Sequence, residues 1–226
     1  NDGWHEQRAY FVDAPAYEPV FDYSYEGIMR SFEASLERLN LDRIDILLMH
    51  DIGEKTHGAA HDAQFHIAME GGYRAMDELR RAGLVGSIGI GANEWQVCDL
   101  AMDRGGWDCF LIGGAFNSGI LATGVVEGAR FDYGTAPADV VARVQALDAV
   151  CRVHRVPLAA AALQFPLAHS AVSTVIPGFG SKAELDEILQ WTATAIPPAF
   201  WQDLKARGLI DQRAPVPSDA VCMVLT

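Results

Sequence analysis

The sequence predicts an α/β fold of parallel βαβ units, and three observations carry that reading. Apolar runs of strand length alternate with amphipathic helical stretches, the pattern of parallel strands joined by crossover helices. Polar residues able to do chemistry follow those runs at once, where the C-terminal rim of a (β/α)8 barrel would lie. An open doubly wound sheet would instead show a Gly-rich turn after its first strand, with an acid about twenty residues later. No such turn is found, since Gly86, Gly89 and Gly91 lie inside the second apolar run rather than after it. Of the two closures, the (β/α)8 TIM barrel is the expectation.

Taken in order, a polar lead-in rich in Pro and aromatic residues (Asn1 to Asp22) precedes a helix from about Ser24 to Asn40. Ile28, Met29, Phe32, Leu36 and Leu39 form its apolar stripe. The run from Ile44 to Met49 is short, apolar and ended by His50-Asp51, which marks a buried strand. A polar loop then leads to a helix over about Gln64 to Ala82, striped by Met69, Tyr73, Met76 and Leu79 and stopped by Gly83. The pattern repeats as a strand Val85 to Gly91, a helix Trp95 to Arg104 and a strand Cys109 to Ala115. Pro137 opens a long helix with Val140, Val144, Leu147 and Cys151 on one side, and a further helix spans Ala159 to Leu163. Val172 to Ile176 reads as a fourth strand, and Ser181 with Glu184 forms a capping box on the next helix. A short helix near Phe200 to Ala206 precedes an irregular Pro-rich end.

Composition narrows the function. Half of the 226 residues are hydrophobic and 21% are charged, which excludes wholesale disorder. Thirty acids against 17 Lys and Arg leave a formal charge of −13 with no basic cluster, so neither nucleic acid nor an anionic membrane is an expected partner. No apolar run is long enough to span a bilayer. The first residues show no basic-then-apolar leader and no Met, so the expectation is a cytoplasmic protein whose chain starts inside a longer product. Cys98, Cys109, Cys151 and Cys222 lack the close spacing of a zinc knuckle or redox pair and read as reduced thiols, mostly buried.

Four strand ends supply candidate site residues: His50-Asp51, Asn93-Glu94, Phe116 to Gly119, and Gly178 to Lys182. The last is a glycine-bearing loop running into a capped helix, where unpaired N–H groups favour an anion; making the turn is the equally weighted alternative. Lys182 in the first helical turn opposes the helix dipole, which tips the balance towards an anionic ligand. His50 could be a structural histidine, or it could donate to a carbonyl or shuttle a proton. A rival reading takes the stretch of His50, His57, His61 and His66, with Asp51 and Asp62, as metal-binding; His57 and His61 are four apart, but Gly58 between them and the polar character of the stretch argue against a shared helical face.

At this point the residues match a family. Leu41-Asp42-Arg43-Ile44-Asp45-Ile46-Leu47-Leu48-Met49-His50 resembles the aldo-keto reductase signature that leads to its catalytic histidine. Gly89-Ile90-Gly91-Ala92-Asn93-Glu94-Trp95, Phe116-Asn117-Ser118-Gly119-Ile120-Leu121 and Ala159 to Phe165 resemble its sugar 1-dehydrogenase branch, of the D-threo-aldose, L-fucose and L-galactose dehydrogenase kind. The resemblance covers nearly all of 22–210. It implies an aldo-keto reductase barrel binding extended NAD(P), with hydride passing between a sugar's anomeric carbon and the nicotinamide to give a lactone. By position, His50 orients the substrate; Asn93 holds the carboxamide; Phe116, Asn117, Ser118 and Gly119 line the pyrophosphate; and Gly178, Ser181 and Lys182 meet the adenosine end. Pyridoxal is an alternative substrate, and small aldehydes or alcohols are others.

Three departures bear on this. Gly180 stands where many members carry an Arg for the 2′-phosphate, which favours NAD over NADP unless Lys182 substitutes. Ile188 replaces an adenine-contacting Asn, and Ala92 replaces the Ser that often precedes the carboxamide-binding Asn. The family's catalytic Asp, Tyr and Lys lie on its first three strand–helix units, which precede this sequence. Another unit of about thirty residues is missing near Leu111-Ile112. The chain 1–226 is therefore expected to be a single but incomplete barrel domain. Its strands would leave open edges and an apolar face. Two other hypotheses stand beside the dehydrogenase: a non-catalytic relative that binds nucleotide or a partner, and a metal-dependent barrel enzyme.

Overall fold

The computed structural model describes residues 20–217, which fall into two compact units meeting in sequence between Ile112 and Gly113. Cys222 and most of the lead-in lie outside the described residues. No described helix is long and apolar enough to cross a membrane.

The first unit opens with helix α1 (Tyr25–Leu39), started by the Ser24 side chain, which accepts from the Gly27 N–H. It stops at Asn40, whose left-handed backbone (φ 53°) lets Leu41 N–H reach back to the Leu36 carbonyl. Strand β1 (Ile44–His50) pairs in parallel with β2 (Val85–Ala92), and β2 with β3 (Cys109–Ile112). The sheet order β1-β2-β3 follows the chain without reversal. That order fits an arc of a barrel, in which successive strands lie side by side.

Register separates the two faces of this sheet. Leu47, Met49, Ile88 and Ile90 point to the helices and join Phe32, Met76 and Leu79 in the core. On the other face Ile46, Leu48 and His50 lie beside Ser87, Gly89 and Gly91, with Cys109 and Leu111 beyond. Ile46 is 58% exposed and Leu111 44%, so this face is not covered as a closed barrel would cover it. Its glycines are required by close approach. A Cβ on Gly89 would stand 2.3 Å from the Cys109 carbonyl oxygen, and one on Gly91 2.9 Å from Cδ2 of His50.

Two expectations for this unit need correction. The stretch after β1, read as a polar loop, is mostly helical: α2 (Glu54–His57), a 3-10 turn (Gly58–Ala60) and α3 (His61–Ile67). The helix read as continuous over about Gln64 to Ala82 contains a π-helical turn (Ala68–Gly72) before α4 (Tyr73–Arg81). Gly71 and Gly72 explain it: a Cβ on either would strike the backbone of residues 23–25. Gly83 (φ 74°) ends α4 as expected, with its N–H on Arg80 and that of Leu84 on Leu79. Helix α5 (Trp95–Met102) completes the unit. Cys98, Cys109 and Cys151 of the two units are free thiols.

The second unit holds α6 (Ile120–Thr123), a two-stranded hairpin β4 (Arg130–Phe131) and β5 (Gly134–Thr135), then α7 (Ala138–His154), α8 (Leu158–Gln164), α9 (Lys182–Ala193) and α10 (Pro198–Ala206). Val150, Cys151, Val156, Phe200, Trp201 and Leu204 form its main core. The sequence reading fails here at two strands. The third strand ends at Ile112 rather than Ala115, where Gly113-Gly114 (φ 122° at Gly114) turns the backbone away. Val172 to Ile176 forms no strand at all. β-branched composition favours a strand only where a neighbour pairs its N–H and C=O groups, and no described strand lies alongside.

Candidate functional site

The C-terminal ends of β1 and β2 form the densest cluster of functional groups in the first unit. His50 closes β1 directly beside Gly91, and the Asp51 N–H donates to the Gly91 carbonyl at 2.8 Å. Asp51 then takes a left-handed backbone (φ 53°), a conformation that Asp tolerates better than most residues. The turn brings its carboxylate back to His50, with Oδ2 2.9 Å from Nδ1. The His50 ring remains 65% exposed while the Asp51 side chain is only 23% exposed. The hydrogen bond to Asp51 holds the imidazole pKa above its usual value, against a smaller opposing effect of burial. With Nδ1–H given to the carboxylate, Nε2 is the atom free to meet a ligand.

Three more groups hold this rim. The buried Tyr23 hydroxyl lies 3.0 Å from the His50 carbonyl oxygen, 2.9 Å from that of Asp51 and 3.0 Å from Nε2 of His57. Burial, reinforced by the Asp51 charge, pushes its phenol far above the usual range, so it stays protonated. Burial lowers the His57 pKa, keeping that imidazole neutral. Glu94, just past β2, accepts from the Lys55 N–H at 3.1 Å and so caps α2 from another loop. Gly53 leaves the room: its Cβ would lie 1.7 Å from the Glu94 carboxylate.

Asn93 sits on the same rim, half-buried, and its carboxamide has no partner among the described residues. The structure therefore brings His50 and Asn93 to one edge. The other predicted residues belong to the second unit. Asn117, Ser118 and Gly119 have successive positive φ values (45°, 55° and 91°). The Asn117 and Ser118 side chains accept from the N–H groups of Asp132 and Tyr133, at 3.0 and 2.8 Å. Asp132 and Tyr133, both at positive φ, are the two-residue loop of the hairpin. The backbone N–H groups of Ser118 and Gly119 take no described partner, which suits an anion such as a pyrophosphate. Phe116 packs edge-on against Trp191 of α9, with ring centroids 5.9 Å apart.

The Gly178 to Lys182 loop differs from the expectation built on Lys182. Its ammonium pairs with Asp186 at 2.6 Å on the surface, so it is not an uncompensated charge awaiting an anion. Ser181 Oγ accepts from Glu184 N–H at 3.2 Å, as the capping box requires. The Glu184 carboxylate accepts from Gly180 N–H at 2.7 Å rather than from Ser181. Gly178 is exposed, and Ile188 is buried in α9 rather than presented to a ligand. Among the described residues no group of three or more His, Cys, Asp or Glu could hold a metal; His57 bonds to Tyr23 and His61 to the Ile52 carbonyl instead.

Sequence reasoning missed Tyr23, Glu94 and His57 as holders of the rim and named Asp51 only by its place after β1 and in the rival metal reading. Adjacency to His50 was a usable signal for Asp51. Tyr23 and Glu94 act across 27 to 39 residues, and no local pattern announces them.

The Aldo/keto reductase family model matches in two segments, residues 6–117 and 110–207. Pyridoxal 4-dehydrogenase of Microbacterium luteolum is 38% identical over 239 residues, taking in 93% of this chain and 68% of its own length. D-threo-aldose 1-dehydrogenase of a Pseudomonas species is 31% identical, over 84% of this chain and 64% of its own. L-galactose dehydrogenase of Arabidopsis thaliana is 25% identical, over 76% and 59%. The chain thus spans about three fifths to two thirds of these relatives. An aldo-keto reductase from Bacillus halodurans in its holo form superposes with a TM-score of 0.61 at 20% identity, covering 88% of this chain and 71% of that one. That likeness supports the fold, of which the three-stranded arc is a part.

Proposed function

This chain belongs to the aldo/keto reductase family, and we propose that it is the greater part of an NAD-dependent dehydrogenase that oxidises a cyclic hemiacetal to a lactone. The names of two relatives, pyridoxal 4-dehydrogenase and D-threo-aldose 1-dehydrogenase, point to substrates of one chemical kind. An aldose closes on its own hydroxyl to a hemiacetal, and pyridoxal does so through its neighbouring hydroxymethyl group. Oxidation at that carbon removes a hydride and a hydroxyl proton and leaves a lactone. The higher identity to the pyridoxal enzyme places pyridoxal beside sugars as a substrate to test.

The observation that carries the reading is the His50–Asp51 pair at the C-terminal rim of the sheet, where barrels of this type place their chemistry. His50 Nε2 would hydrogen-bond the substrate oxygen. Asn93 would hold the nicotinamide carboxamide and the Ser118 and Gly119 N–H groups the pyrophosphate. The cofactor, when bound, accepts the hydride. Proton transfer would fall to the family's Tyr, supported by its Asp and Lys. Tyr23 is not that tyrosine, because its hydroxyl is buried against backbone carbonyls.

Gly180 lacks the guanidinium that grips a 2′-phosphate, and the Glu184 carboxylate on its N–H adds negative charge there. Both favour NAD. The split of the family match at 110–117 supports the reading of one barrel domain with a strand–helix unit missing near Leu111-Ile112. The non-catalytic and metal-dependent readings have no observation in their favour. The test is steady-state turnover of the full-length protein with NAD and NADP against pyridoxal and D-threo-aldoses. The reading requires lactone formation with NAD preferred. Turnover only with NADP would overturn the cofactor assignment, and no turnover with either would overturn the dehydrogenase.

A further inference from the structure

We propose that Asp51 and Tyr23 are positioning residues for His50: Asp51 fixes the imidazole in the tautomer that presents Nε2, and Tyr23 holds the turn that puts Asp51 there. The inference rests on the reading of His50 as the residue that meets the substrate.

Asp51 can reach His50 Nδ1 only because its backbone is left-handed. Such a conformation costs about 1–3 kcal/mol for a residue other than glycine and persists only where its surroundings impose it. Here they do so from both sides. The Asp51 N–H is tied to Gly91, and the carbonyls of His50 and Asp51 share the Tyr23 hydroxyl. The phenol has one proton for those two carbonyls, so the consistent arrangement has His57 donating from Nε2–H to the phenol oxygen. A neutral His57 can supply that donor.

Tyr23 is itself fixed. Its ring is 5% exposed and lies edge-on to His57 at 5.5 Å, with Phe21 at 6.1 Å. The π-helical turn lets Gly72 approach the Tyr23 carbonyl so closely that a Cβ would stand 2.9 Å from it. The chain of support thus runs from Gly72 through Tyr23 to the Asp51 turn and on to the His50 ring. Gly91 completes it by leaving the space the imidazole fills.

The titratable groups packed around this pair are Tyr23 ahead of α1, His57 and His61 after β1, and Glu94 after β2, besides Asp51 itself. His50 should therefore be read individually, by ring-nitrogen NMR on the full-length protein without substrate. Neutral His50 is expected as the Nδ1–H tautomer, with its titration midpoint above the usual imidazole value. Asp51→Asn should lower that midpoint. Tyr23→Phe should lower it too and populate both tautomers, because the turn loses its donor. Glu94→Gln, on the same rim but bonded to Lys55 N–H, should leave the tautomer unchanged.

In turnover, Asp51→Asn should lower kcat about tenfold and move the imidazole limb of the pH profile down, a displacement that loss of packing alone would not give. An Nε2–H tautomer in the parent protein would overturn the proposal. So would a midpoint that stays put in Asp51→Asn, a near-isosteric change that replaces no core residue. The NMR result needs no turnover: a parent protein with the predicted tautomer but no dehydrogenase activity would overturn the function proposed above and leave this inference standing.

Discussion

The rim at the end of β1 and the loop before α9 arise from the same sequence logic, polar residues past an apolar run, yet they are held in opposite ways. His50 and Asp51 are fixed by partners far along the chain: Tyr23, 27 and 28 residues away, and Gly91 across the sheet. Gly180, Ser181 and Lys182 are held by Glu184 and Asp186, all within four residues. The first arrangement needs the tertiary fold and sets one geometry before any ligand arrives. The second forms with its own helix and leaves the preceding residues 172–180 without regular structure. Preorganisation therefore belongs to the rim to which the proposed function assigns the substrate, where an ångström of misplacement would cost rate.

Substitutions sharpen that contrast. Gly89→Ala should have the largest effect, because its Cβ would meet the rigid Cys109 carbonyl at 2.3 Å and force β2 from β3. A loss of about 2–3 kcal/mol is expected, in the range of core overpacking, read as a lower denaturant midpoint. Gly180→Ala, in open surroundings, should change stability by less than about 0.5 kcal/mol. Comparable losses at both glycines would break the comparison.

Gly91→Ala should come next and act on activity. Its Cβ would press the His50 ring at 2.9 Å, turning Nε2 away. We expect kcat to fall about tenfold, equivalent to roughly 1.4 kcal/mol, with a smaller change in unfolding free energy. Ser181→Ala should cost about 1 kcal/mol of stability, the ordinary value of a helix N-cap, with kcat unaltered. Lys182→Ala should matter least, since it removes an exposed (i, i+4) pair worth at most about 0.5 kcal/mol. If Lys182→Ala instead abolished use of NADP while sparing NAD, the lysine would be a phosphate ligand after all.

The same contrast explains what the sequence made legible. Where a segment's structure follows from its own residues, the reading held: α1 with Ser24 and Asn40 at its ends, α4 stopped by Gly83, and Ser181 as the N-cap of α9. Strands β1 and β2 were legible because they are apolar and bounded, although only β2 is buried along most of its length and β1 leaves one face exposed. Val172 to Ile176 has the composition of a strand, but composition supplies no pairing partner. The stretch after β1 was taken for a loop on the strength of its polar residues and Gly58. The Glu94 carboxylate, arriving from beyond β2, is what caps its first helical turn. For the site, His50 and Asn93 were named from their places after strands, and Asp51 lay next to His50, but Tyr23 and His57 were hidden because the fold alone brings them to the rim.

The central claim is hydride transfer at a hemiacetal carbon placed against His50. It is tested most directly by giving the full-length protein NAD and a substrate deuterated at that carbon, pyridoxal or a D-threo-aldose, and weighing the products. The account predicts deuterium in the reduced nicotinamide, none in the lactone, and loss of both products in His50→Ala. Deuterium retained in the organic product or released to water, or turnover undiminished in His50→Ala, would contradict it.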